Sequence, residues 1–184
     1  MAASGGLISR MIRAMKLQPA LYEEVEADKS ANTQAAIVVI IVGIAAAIGA
    51  GLGAPSAEGL LAAVWGLVVA LLGWLLWALV VYIIGAKLMK GRETQSSWGE
   101  VARTIGFANS PGVFRILGFI PILGWIISIV VWIWILIAGI IGIRAALDFS
   151  TTRAVITVVI GWLVYVALML VLWLFGLGSL PIPM

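Results

Sequence analysis

Residues 105–143 read IGFANSPGVFRILGFIPILGWIISIVVWIWILIAGIIGI. A helical crossing of a ~30 Å hydrocarbon core takes about 20 apolar residues, so this stretch is too long for one span. Pro111, Gly118, Pro121 and Gly124 punctuate it. Pro121-Ile-Leu-Gly124 reads as a turn inside the apolar region. The punctuation predicts two helices, about 103–120 and 124–143. Charge provides an independent test. With five spans and a cytoplasmic N-terminus, Arg10, Arg13, Lys16, Lys29, Lys87, Lys90, Arg92, Arg103, Arg144 and Arg153 all fall inside. Fusing 105–143 into one span pushes Arg144 and Arg153 outside and breaks the positive-inside bias. Five spans are therefore expected, with the C-terminus outside.

Working outward, residues 35–53 form an apolar run long enough for a first crossing, and Gly53–Ser56 reads as a tight turn. Residues 59–86 give a second span, long enough to tilt. Lys87 to Arg103 is a polar connection, and 155–175 is the last span, followed by an uncharged tail. The expected fold is all-α: a polytopic transmembrane helical bundle over 35–178, preceded by a short polar and amphipathic segment at 1–34. Composition agrees. The chain is 64% hydrophobic and 10% charged, against about 25% charged in a typical soluble domain.

The 184 residues contain no His and no Cys. That removes imidazole bases, Ser-His-Asp triads and His-ligated haem, and with them disulfides, thiolate nucleophiles and iron–sulfur clusters. No span carries an internal acid, so proton relays and carboxylate cages lack material. No catalytic residue, cofactor or metal site is expected. The net charge of +3 is not gathered into a patch, so nucleic acid is not an expected partner; the basic residues sit beside apolar segments as orientation signals do.

In the first segment, Leu7, Ile8, Met11, Ile12 and Met15 follow one helical face, with Arg10, Arg13 and Lys16 on the other. Such a helix suits an anionic membrane surface, or equally the protein's own bundle. Pro19 suits the first turn of a second short helix carrying Glu23, Glu24, Glu26 and Asp28, which reads as a solvated acidic face. Four acids precede the first long apolar run, so no cleaved secretory signal is expected.

Four motifs spread over the chain carry a family likeness. They are Leu21-Tyr22-Glu23-Glu24-Val25, Arg103-Thr-Ile-Gly106-Phe107-Ala108 leading to Pro111, Phe119-Ile-Pro121-Ile-Leu-Gly124-Trp125, and Arg144-Ala-Ala-Leu147-Asp148. In their order and in five-span topology they resemble the YIP family of Ypt/Rab-interacting membrane proteins, particularly its bacterial branch. The resemblance implies a non-enzymatic membrane protein, associated in eukaryotes with Rab-type GTPases and vesicle traffic. The long cytosolic N-terminal domain of those relatives is reduced here to residues 1–34, which leaves GTPase binding open.

Arg115 is the one charged residue well inside an apolar run. An intramembrane charge is a functional candidate, but the favoured reading places Arg115 near the cytoplasmic end of the third helix, its stem snorkelling or meeting backbone carbonyls around Pro111. Asp148-Phe-Ser150-Thr151-Thr152 offers N-caps for the last helix. Ala62, Gly66 and Ala70 line one face of the second span, and Ala138, Gly142 and Ala146 one face of the fourth; small residues at this spacing let helices approach closely, within the chain or across to a partner. Trp74 and Trp77 fall mid-span, whereas Trp98 and Trp125 suit the interface.

These readings lead to a scaffold or adaptor of the bacterial cytoplasmic membrane. Its N-terminal helices, with Arg10, Arg13, Lys16 and Trp98, would face lipid headgroups or partners. Expected partners are the bilayer and other membrane proteins or a second copy. An accessory subunit of a larger membrane complex is the alternative, and a channel or carrier the third.

Overall fold

The computed structural model describes residues 5–51, 57–90, 96–120 and 122–174, and among them there is no strand. Two short helices, α1 (Leu7–Met15) and α2 (Pro19–Ala27), precede α3 (Ala31–Gly49). Next comes α4 (Ala57–Tyr82), which runs on as a π-helical segment, Ile83–Leu88. Then α5 (Trp98–Ala108) is followed by a 3-10 helix, Ser110–Phe119, and by α6 (Leu123–Ala146) and α7 (Thr151–Leu174). Among the described residues, four stretches are long and apolar enough to cross a membrane: Ala31–Gly49, Leu61–Leu88, Leu123–Ala146 and Thr151–Leu168. Their outer faces expose large apolar side chains such as Trp65, Leu72, Trp132 and Trp162. In water that surface would be untenable; in lipid it is the expected exterior.

Helix α3 starts at Ala31, earlier than its apolar run, because its first polar residues have partners inside the protein. Asn32 Oδ1 accepts from Arg103 at 3.2 Å and Gln34 Oε1 from Arg10 at 3.0 Å. The helix expected at 103–120 is not continuous. It begins at Trp98, where Ser97 and Glu100 form a capping box, and it ends at Ala108. Pro111 has no N–H to give to the Phe107 carbonyl, and the Ser110 hydroxyl donates to that oxygen instead, at 2.6 Å. The chain then continues as the 3-10 helix. Runs of this geometry longer than a few residues are uncommon; this one has ten residues.

The 98–119 segment runs beside α3 along its whole length. Arg103 sits at Asn32, Gly106 at Ala35, Gly112 at Val42, and Arg115 and Gly118 at Gly49. At that last level three backbones meet without side chains between them. A Cβ at Gly49 would land on the Arg115 carbonyl oxygen, and one at Gly124 on the Gly118 carbonyl oxygen. Helix α6 is entered through Ile122, held at φ 64°, a backbone conformation costly for a β-branched residue. Pro121, within the turn read from the sequence, lies outside the described residues.

Two core clusters organise the interior. In the first, Met11, Ala14, Leu21, Tyr22 and Val25 of the N-terminal helices join Val38, Phe107 and Ala138. Residues 7–27 thus share a core with the bundle rather than standing apart from it. The second gathers Val81, Val101, Ile105, Ile143, Leu147 and Ala154 around α4–α7.

Candidate functional site

Two buried arginines, Arg10 and Arg103, are brought together at the end of the bundle where α3 begins. Helices α1 and α2 fold back on each other. Leu17 takes a left-handed conformation at φ 55°, with Leu17 N–H donating to Ala14 and Gln18 N–H to Arg13, so the turn closes as a Schellman motif. The hairpin brings the basic face of α1 onto the acids of α2. Arg10, only 1% exposed, donates from Nε to Glu24 at 3.0 Å, from Nη2 to Asp28 at 2.8 Å and from Nη1 to Gln34 at 3.0 Å. Arg13 donates to the other Glu24 oxygen at 2.6 Å. Burial opposes ionisation of Glu24, but the hydrogen bonds from Arg13 and Arg10 outweigh it and hold its carboxyl below the usual carboxylate range. Hydrogen bonds from Ser30 and then Arg10 do the same for Asp28.

The second anchor is Arg103. Its guanidinium, buried with the rest of the side chain, donates from Nε to the Val25 carbonyl at 3.0 Å, from Nη2 to the Glu26 carbonyl and from Nη1 to Asn32. Unpaired carbonyls and the negative end of the helix dipole make the last turn of α2 a natural seat for a cation. Tyr22 completes the contact: its ring lies against Gly142 and its hydroxyl donates to the Ala14 carbonyl at 3.3 Å. Burial raises the Tyr22 pKa. Glu26 behaves oppositely to Glu24. Burial, with like charge from Asp148, Glu100 and Glu23, pushes its carboxyl up to about 7 against the pull of Arg103.

Of the basic face, Arg10 is turned inward onto the protein's own bundle and Arg13 is paired, because α2 supplies carboxylates at the matching spacing. Lys16 stays exposed, and Trp98 is exposed at the start of α5. The two small-residue faces part company. Ala138, Gly142 and Ala146 are all buried, with Gly142 close to Tyr22 and Thr104. Ala62, Gly66 and Ala70 instead line an open groove between α3 and α4, about 430 Å³ in volume. Trp74 and Trp77 are packing residues: Trp74 Nε1 donates to the Ala102 carbonyl at 2.9 Å, and the Trp77 ring lies against Gly161.

Arg115 also lines the groove, half-buried. It does not lie towards the α3 N-terminal end as expected. Its backbone abuts Gly49, at the opposite end of α3. The early start of α5 and the ~2.0 Å rise per residue of a 3-10 helix carry it further along the bundle than an α-helix starting at Arg103 would. Asp148, held at φ 51°, closes α6 rather than opening α7. Its N–H donates to Ala145 and that of Phe149 to Arg144, while Ser150 Oγ accepts from the Arg153 N–H at 3.5 Å. Sequence reasoning did not single out Gly49, Arg103 or Glu26 as contact residues. The signal for Arg103 was a charge inside a motif otherwise made of small and apolar residues.

Among the described residues no group of three or more Asp or Glu side chains is placed to hold a metal ion. The arrangement holds helices together and offers charged and aromatic contacts; it is that of an α-helical integral membrane protein. The family model of the Yip1 domain matches residues 15–174, and the chain belongs to that family. No curated protein and no solved structure matches it.

Proposed function

We propose that this protein is a non-enzymatic YIP-type scaffold or adaptor with five spans. Its N-terminus and N-terminal hairpin would face the cytoplasm of a bacterial cell, and its C-terminus the outside. The observation that carries the reading is the double anchoring of the hairpin by Arg10 and Arg103. Two arginines are committed to holding α1 and α2 in one orientation, which leaves Lys16, Glu23 and Lys29 exposed as a charged platform.

The fifth span is the α5–3-10 segment. Eleven α-helical and ten 3-10 residues extend about 37 Å at ~1.5 and ~2.0 Å per residue, enough for a ~30 Å core with the first turns, up to Arg103, at its cytoplasmic edge. Its course beside the whole of α3 supports the same count. With this span included, every Lys and Arg except Arg115 is assigned to the cytoplasmic side.

The adaptor reading is tested by extracting the full chain gently from its membrane and comparing what remains bound to it and to a Lys16→Glu/Glu23→Lys variant. Cytosolic partners held by the native chain and lost from the variant are the expected result. A stoichiometric membrane complex that survives the change would favour the alternative, an accessory subunit. That reading draws on the open small-residue face at Ala62 and Gly66.

A further inference from the structure

We infer that the groove between α3 and α4 holds one anionic phospholipid of the surrounding bilayer, its phosphate on Arg115 and one acyl chain along the Ala/Gly wall. Three observations carry this. The groove is an open cleft at a helix contact lined by small residues. Ala62, Gly66 and Ala70 face Gly43 and Ala46 across it, and small residues at this spacing ordinarily bring backbones together. Here Leu67 stands over Gly43, and a Cβ at Gly66 would meet nothing within 4 Å. An apolar space of about 430 Å³ is in the range of small-molecule sites, about 300–1,000 Å³. Left empty, its walls forfeit their dispersion contacts.

The second observation is charge. Among the described residues, the charged or amide side chains of the lining are Asn109 and Arg115. Asn109 Nδ2 is engaged with the Ile105 carbonyl at 2.9 Å. The Arg115 guanidinium has no hydrogen-bond or ion-pair partner among the described residues. Arginine does not shed its proton, so a half-buried guanidinium calls for an anion, and its planar fork matches two phosphate oxygens.

The third is polarity along the groove. Arg115 lies beside Gly49, at the level of Ala50 where α3 ends, whereas Trp74 and Trp77 line the part further along α4. A charged end and a long apolar remainder describe an amphiphile rather than a small free anion. Exposed Leu61, Val64 and Trp65 flank the α4 wall, so the groove communicates with lipid. The inference does not depend on the adaptor reading.

The test uses the full chain in vesicles of phosphatidylcholine with and without phosphatidylglycerol, extracted in mild detergent and weighed by native mass spectrometry. One phosphatidylglycerol per chain should be retained. Arg115→Gln and Gly66→Leu should each reduce that retention at least fivefold, while Gly66→Leu, whose Cβ enters open space, should be no less stable than the native chain in phospholipid-free detergent. Equal retention by all three proteins would overturn the inference. So would binding of inorganic phosphate that survives Gly66→Leu in a chain retaining no lipid, which would make the site one for a free anion. Glu58 precedes Ala62 by one helical turn. If Arg115→Glu destabilises and Glu58→Arg restores stability, the partner is internal and the lipid assignment falls.

Discussion

Gly49 and Gly66 show how one residue type carries opposite meanings within a single groove-forming helix pair. Replacing an interior helical glycine by alanine ordinarily stabilises by roughly 0.5–1 kcal/mol, because the unfolded chain loses freedom. Gly66 has open space around its missing Cβ, so Gly66→Ala should stabilise by about that amount. At Gly49 the added atom would meet the Arg115 carbonyl, a backbone atom that cannot rotate away. Gly49→Ala should therefore destabilise, by about 1–3 kcal/mol as overpacking does. Denaturant unfolding of both variants in one detergent checks the pair, and equal signs would contradict the packing described at the end of α3.

At the scale of elements, the α1–α2 hairpin is the part most sensitive to pH. Glu26 is raised from 4.5 to about 7 in the folded protein. Between those values the folded state keeps a proton that the unfolded state releases. The stabilisation is complete below 4.5 and is lost as pH rises through about 7. Glu24 and Asp28 are lowered, so their contribution is present above the ordinary carboxylate range and lost as pH falls through their folded values. Hairpin docking should weaken in both directions, for different reasons. Glu26→Gln should flatten the neutral side alone. Protection of α2 amides from hydrogen exchange, measured across pH 5–8 for both proteins, is the direct readout. A native chain as flat as the variant over that range would remove Glu26 from the account.

For the whole molecule, the expectation is a topology with all ten basic residues other than Arg115 on one side. Cysteines introduced singly at Ser56 and Ser179 should react with an impermeant thiol reagent added to intact cells, and one at Ser96 should not. The chain has no native Cys, so each signal is unambiguous. Ser56 and Ser179 lie outside the described residues, and the experiment places them independently of the fold. Labelling at Ser96 would invert or break the five-span arrangement, and with it the cytoplasmic assignment of the hairpin.

Hydropathy and punctuation alone determined that the chain is helical and membrane-embedded and where α4, α6 and α7 run, to within a few residues. Such properties are local sums: twenty apolar residues in a row need lipid whatever their neighbours are. The family likeness was also legible, because its motifs mark turns and close approaches that recur in order along the chain. What the tertiary structure decided were the pairings. Whether Arg10 meets headgroups or Glu24 depends on how the turn at Leu17 folds α1 onto α2, and Arg103 gains its seat only when α2 ends beside α5. The depth of Arg115 was misjudged because a Pro-initiated 3-10 helix lengthens the chain, and sequence periodicity read at 3.6 residues per turn does not register that. The two small-residue faces are alike in spacing. One is buried against α2 and α5, where Tyr22 and Thr104 lie on Gly142, and the other lines a groove, where Leu67 of the same helix stands over Gly43 of α3.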